Sequence, residues 1–202
     1  MNTVATSLAE RSALRPAIVF AVTTLLGFGL LYSLAGTALG RVLFPGAARG
    51  SLVERNGRVV GSSLVAQPFA DARYFQPRPS ASNFDPMSMS ASNLARSNPD
   101  LRKRIATATT QVAARDGIDP ARVPAELVTQ SGSGLDPHLS PAGAQAQVMR
   151  VAKARGMPVD QVQAMVAAVT EAPQFGFLGQ PRVNVLQLDL AMDARVPDSL
   201  AP

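Results

Sequence analysis

Residues 16–40 carry no charged side chain, and Arg15 and Arg41 close the two ends of the run. As a helix of roughly 25 residues rising ~1.5 Å each, it is about 37 Å long, enough to cross a ~30 Å hydrocarbon core with some tilt. Apolar residues fall on every face, whereas a helix meant for a soluble core shows one apolar stripe. Gly27 and Gly29 would weaken a soluble helix, but in lipid they are tolerated and let a neighbouring helix approach. Tyr32 and the flanking arginines suit the membrane interface. Two other readings compete. A buried core helix is usually shorter and bounded by polar turns. A cleaved signal peptide fits Arg11, Arg15 and the small residues at 35–38, yet the apolar run exceeds the ~7–15 residues of a signal core. The expectation is a polar tail over 1–15, one membrane anchor over 16–40 and a soluble head over 41–202.

A head of that size can hold a real hydrophobic core. It has few aromatics, much alanine and a large share of the 16 prolines, so the core is expected to be modest. The net charge of +5 comes mainly from arginine, with Lys103 and Lys153 the only lysines. No dense basic cluster appears and no aromatics interleave the basic residues, so nucleic-acid binding is unsupported. The absence of cysteine excludes disulfides, thiolate metal sites and a cysteine nucleophile. Positive charges flank both ends of the anchor, and their count does not set its orientation.

Along the head, Phe44-Pro45-Gly46-Ala47 reads as a turn. Asn56-Gly57 stands between two β-type runs, the strongest short-range hairpin signal because both turn residues need φ > 0. Residues 74–79, Tyr-Phe-Gln-Pro-Arg-Pro, are stiff and extended, with Tyr74 and Phe75 packing them down. Residues 80–98 form a long polar loop in which Ser-Ala-Ser-Asn occurs at 80–83 and again at 90–93, too brief for a solenoid. Asn98-Pro99-Asp100 starts a helix that ends at Gly117. A short start at Val123-Pro124 follows. Ser140-Pro141 caps a helix to Arg155, closed by Gly156, and Pro158 opens another through Val169 with a helical apolar stripe. Residues 183–190 read as a strand. The fold class is therefore α/β: one N-terminal transmembrane helix followed by one small mixed α/β domain.

The densest polar stretch is 129–141. Ser131, Gly132, Ser133 and Gly134 precede a helix start, and glycine-rich backbone there can offer N–H groups to an anion. The stretch lacks the Lys-Ser/Thr ending of a phosphate-binding P-loop. It also fails the Gly-x-Ser-x-Gly elbow, since Ser131 sits where the first glycine belongs, which leaves little for a hydrolase using Ser133 and His138. Asp136 and His138 lack further ligands at metal spacing, and His138 is the sole histidine. A structural turn and N-cap is favoured over a nucleotide or anion site. Gln147 and Arg150 share a helix face and are read as a solvated edge rather than a polar contact. Arg78 is either a buried positioning residue or an exposed one, and Met87 and Met89 read as loop packing. No catalytic set and no metal site are expected.

Taken together, many short blocks in order make the chain similar to the C subunit of the Kdp-type potassium-transporting ATPase. They are Arg15-Pro16-Ala17, Gly61-Ser62 with Gln67, residues 74–80, Ser92-Asn93-Leu94 and Ser97-Asn98-Pro99. Further blocks are Val123-Pro124, Leu127-Val128-Thr129, residues 131–138, Ser140-Pro141, Gln147, Arg150-Val151-Ala152, Ala154-Arg155, Gly179 and residues 181–186. Ala91 departs from the family, which has a glycine-rich lead there. The resemblance implies a single-pass subunit of a bacterial inner-membrane complex that imports K⁺ with ATP. Its implied partners are a channel-like subunit that carries the ion, a P-type subunit that hydrolyses ATP, a small single-span subunit and lipid. It further implies a catalytic chaperone that raises the pump's ATP affinity, with Ser131, Gly132, Ser133, Gly134 and Gln147 likened to a nucleotide signature. No firmly bound cofactor is implied, and ATP enters only through the complex. The tail would be cytoplasmic and the head periplasmic, so one span cannot bring the head to cytoplasmic ATP. Stabilising the ion-translocating subunit, through Gly27, Gly29 and the 74–98 region, is the favoured mechanism. The rival expectation is a membrane-anchored periplasmic module for a small anion or nucleotide.

Overall fold

The computed structural model describes residues 6–195. The chain divides into two compact units, one ending at Ser51 and one beginning at Leu52. In the first, α1 (Thr6–Thr24) runs into a π-helical segment (Leu25–Leu31) and then α2 (Tyr32–Leu43), followed by a single turn, α3 (Pro45–Ala48). Residues 6–15, where no periodicity is visible, are thus helical, with Pro16 inside the helix; Ala, Leu, Glu and Arg are all good helix formers. The stretch Ala13–Leu43 is long and apolar enough to span a membrane, and its apolar side chains are exposed. Its π segment holds both Gly27 and Gly29, and the Tyr32 N–H donates to the Gly27 carbonyl five residues back. Just before it, the Thr23 hydroxyl donates to the carbonyls of Val19 and Phe20, a back-bond that loosens a helix locally.

The second unit opens with the expected hairpin, β1 (Leu52–Arg55) and β2 (Arg58–Ser62). Asn56 and Gly57 both have positive φ, 51° and 74°, as a type I′ turn requires. The register slips by one residue between Val53 and Glu54, so Val60 has no partner opposite it and forms a bulge. Residues 66–98 hold no helix or strand. Then come α4 (Pro99–Asp116), 3₁₀ turns at Pro120–Arg122 and Ala125–Leu127, β3 (His138–Leu139), α5 (Pro141–Gln145), α6 (Val148–Arg155), α7 (Val159–Val169), β4 (Thr170–Glu171), β5 (Arg182–Asn184) and α8 (Val185–Asp193). Asn98 caps α4 by accepting from the Asp100 N–H at 2.8 Å, and Gly117 ends it in the left-handed region.

Two expectations are corrected. The strand expected over 183–190 is three residues long and turns at once into α8. Its alternating pattern also fits a helix: Val185, Leu188, Asp189 and Met192 all point inward, and Asn184 caps the turn by accepting from the Gln187 N–H at 3.1 Å. The helix expected over 140–155 breaks between α5 and α6. There the Gln147 N–H bonds the Ala144 carbonyl, three residues back, at 3.0 Å.

The second sheet has the order β3-β5-β4 and is antiparallel throughout. Its central Val183 is fully buried, and around it gather Leu139, Val148, Val151, Val162, Met165, Val166, Leu188 and Met192. At roughly 1.5–3 kcal/mol for each large apolar side chain taken from water, this cluster drives the fold of the head. From the irregular segment Phe75 enters it with no exposed surface, and Phe69 packs against its edge.

Candidate functional site

A buried aromatic on a segment with no strand partner leaves main-chain groups to be satisfied, and the helices supply side chains for them. The Phe75 N–H donates to Asp189 Oδ1 on α8 at 2.9 Å. The Gln76 N–H donates to Gln147 Oε1 at 2.8 Å, and Gln147 Nε2 returns a bond to the Gln76 carbonyl at 3.0 Å. Arg150 Nη1 donates to the carbonyls of Ala72 and Tyr74 at 2.6 and 2.9 Å, and Arg155 Nε to that of Arg73 at 2.7 Å. The strap 72–76 is thus held by side chains from α6, α8 and the α5–α6 break. Gln147 and Arg150 are not a solvated edge: Gln147 is fully buried, and Arg150 Nη2 donates to its Oε1 at 2.7 Å.

Charges complete the arrangement. Arg150 Nε meets Asp116 Oδ1 at 2.7 Å, and the Asp116 side chain, wholly buried, also takes Arg115 at 2.6 Å. Arg155 lies 2.9 Å from Asp193 and 5.1 Å from the centre of the Tyr74 ring. Asp193 also takes Arg55 of the hairpin at 2.8 Å. Asp189 is different: burial pushes its carboxyl well above the ordinary range, against the pull of the Phe75 N–H, and its Oδ2 has no hydrogen-bond partner. A folded carboxyl with a raised pKa holds a proton that the unfolded chain has already lost, so stability falls as pH rises through that window and is regained on acidification. Asp189→Asn is expected to raise the melting temperature at neutral pH and to flatten this dependence; an unchanged pH profile would contradict it.

The Ser131-to-Gly134 stretch is a tight turn. The Ser131 N–H donates to the Pro79 carbonyl at 3.2 Å, the Gly134 N–H to Ser131 O at 3.3 Å, and the Leu135 N–H to Ser133 Oγ at 3.1 Å. Ser131 is buried while Gly132 and Ser133 are exposed. Gly134 has φ +75°, and a Cβ there would fall 2.8 Å from the Ser90 carbonyl; Gly132 faces open space. A shallow cavity of about 440 Å³ beside Gly132 and Ser133 is lined by Leu64, Val65, Met89, Leu135, Asp136 and Pro137, so its one charged side chain is a carboxylate. Asp136 is engaged by Arg78 at 3.3 Å and by the His138 N–H at 3.0 Å. Arg78 is therefore a partly buried positioning residue. Past the turn, Ser140 caps α5 by accepting from the Gly143 N–H at 3.1 Å. The Glu126 carboxylate sits at the same end, accepting from the Ser140 N–H at 3.1 Å and from its hydroxyl. An acidic group already occupies that helix terminus, where an anion would otherwise be favoured. No group of three or more possible metal-ligating side chains occurs among the described residues.

Residues 14–194 match the profile of the family described as K+-transporting ATPase, c chain. The chain belongs to this family. Among c-chain relatives, the Potassium-transporting ATPase KdpC subunit of Xanthomonas oryzae pv. oryzae is 64% identical over 186 residues, 92% of this chain and 89% of that protein. The subunit of the same name from Sorangium cellulosum is 50% identical, covering 89% and 96%, and that of Shewanella putrefaciens 48%, covering 82% and 83%. As a c chain, the molecule is a potassium-transporting ATPase subunit, and its Ala13–Leu43 helix is fit to span a membrane. Its main polar constellation, around strap 72–76, escaped the sequence reading because the partners lie 71 to 114 residues apart in the chain.

Proposed function

We propose that this chain is a non-catalytic subunit of a high-affinity, ATP-driven potassium import complex in a bacterial inner membrane. In this reading the Ala13–Leu43 helix anchors it, the head lies on the periplasmic side, and its partners are the ion-translocating, ATP-hydrolysing and small single-span subunits. It raises the ATP affinity of the hydrolysing subunit as a chaperone does, by stabilising the assembled pump, without holding the nucleotide itself. The observation that carries this reading is the inward commitment of the head's polar groups. The amide of Gln147 is bonded at both ends to Gln76, and the terminus of α5 is filled by Glu126.

Gly132 and Gly134 separate the two mechanisms. Gly132→Val enters open space and is expected to leave the ATP half-saturation of the reconstituted ATPase unchanged. Gly134→Val meets both a positive φ and the Ser90 carbonyl; its cost is expected to exceed the ~1–3 kcal/mol of backbone strain alone. A large loss of ATP affinity in Gly132→Val, with the melting temperature intact, would return the nucleotide to this turn.

The anchor carries the second test. A side chain at Gly27 meets nothing within the chain and one at Gly29 meets only Leu25 at 3.4 Å, so leucine at both leaves the helix itself intact. The double variant is expected to release the subunit from the detergent-solubilised complex, because packing between membrane helices depends on small residues. Unchanged co-purification would remove Gly27 and Gly29 from the interface.

A further inference from the structure

We propose that the turn at 173–178 is a second, shallow membrane contact that seats Phe175 and Phe177 at the headgroup–acyl boundary of a neutral lipid surface; this rests on the membrane-anchor reading above. Phe175 and Phe177 are 78% and 76% exposed, with Leu178 beside them at 49%. They stand on an ordered turn rather than a loose loop. The Gln174 N–H donates to Leu178 O and the Leu178 N–H to Gln174 O, both at 2.9 Å, while the Gly176 N–H bonds Pro173 O at 2.9 Å and the Phe177 N–H bonds Gln174 O at 3.3 Å. A tip in which the N–H groups of Gln174, Gly176, Phe177 and Leu178 are bonded internally presents few main-chain donors to a protein groove and leaves few of them orphaned at an apolar boundary.

Charge points the same way. No charged side chain occurs between Glu171 and Arg182, and those two pair with each other at 2.8 Å at the base of the turn. The tip therefore offers aromatic surface without a net charge, the chemistry that settles at a lipid interface without needing anionic headgroups. On the anchor reading the head is tethered to a lipid surface, since only residues 44–51 separate the end of the span at Leu43 from the first strand at Leu52.

The chain has no cysteine, so one introduced thiol takes one fluorescent label. The full chain is reconstituted in phosphatidylcholine vesicles with a bimane at Gln180→Cys and, separately, at Leu31→Cys within the span. Lipid-borne nitroxide is expected to quench both, and Phe175→Ser with Phe177→Ser is expected to abolish quenching at position 180 while leaving position 31 unaffected. Adding anionic lipid should change neither. An unquenched label at 180, or one whose quenching survives loss of both rings, overturns the proposal while position 31 still reports the anchor. Loss at both positions overturns the anchor reading and this one together. Shielding of position 180 from aqueous iodide without lipid quenching, seen only in the assembled ATPase, would assign the tip to a neighbouring subunit and likewise overturn it.

Discussion

Replacing Asp116 with alanine is expected to destabilise the head by about 3–4 kcal/mol, within the ~3–5 kcal/mol typical of a buried ion pair broken from one side. Asp116 has no exposed side-chain surface, and its Arg150 partner is only 8% exposed. Removing the carboxylate leaves a guanidinium that still serves the Ala72 and Tyr74 carbonyls but lacks its counter-charge. Arg115, on the other oxygen at 2.6 Å, is more exposed and can turn to water. For a domain of this size the loss corresponds to a fall of about 10 °C in melting temperature. Calorimetry or denaturant titration of the full chain in detergent measures it; a change below about 1 kcal/mol, the worth of a surface pair, would show that Arg150 is held by the strap carbonyls alone.

Gln147→Ala is expected to follow closely, at about 2–3 kcal/mol. It orphans the Gln76 N–H and carbonyl, each worth ~1–3 kcal/mol when buried and unpaired, and it frees Arg150 Nη2 from a 2.7 Å bond. The telling comparison is between stability and nucleotide. Whatever fraction of the variant assembles should show the ATP half-saturation of the unaltered complex. A tenfold loss of ATP affinity with an unchanged melting temperature would mean that Gln147 serves the nucleotide and not the strap.

These two residues also show where reading the chain stops. Local punctuation was legible: Asn56-Gly57 demands a backbone that few other residues adopt, and Asn98, Pro99 and Gly117 mark both ends of α4 by chemistry within a few positions. The 183–190 run was misread because Val183, Val185 and Leu186-Gln187-Leu188 satisfy a period of two and of 3.6 alike; the Asn184 cap decides between them, and a cap inside an apolar run is easily passed over. The Ser140 cap was legible in the same way, from Ser140-Pro141 at a helix start. The role of Gln147 was not legible, since a glutamine three residues from an arginine on a helix looks the same whether it faces water or a buried strap. Exposure of Phe175 and Phe177 is likewise a tertiary fact, since the glycines and proline around them mark a break in the chain but not which way its rings face.

The strap at 72–76 carries one more implication. Two strands in a ladder can slide by a pair of residues and recover every bond, which is how edges misalign and swap. Here the partner side chains are Arg150 and Arg155 on α6, which donate, Asp189 on α8, which accepts, and Gln147 at the α5–α6 break, which does both, so no displaced alignment recovers the set. Adding or deleting a single residue between Ala72 and Gln76 has no neighbouring minimum to fall into.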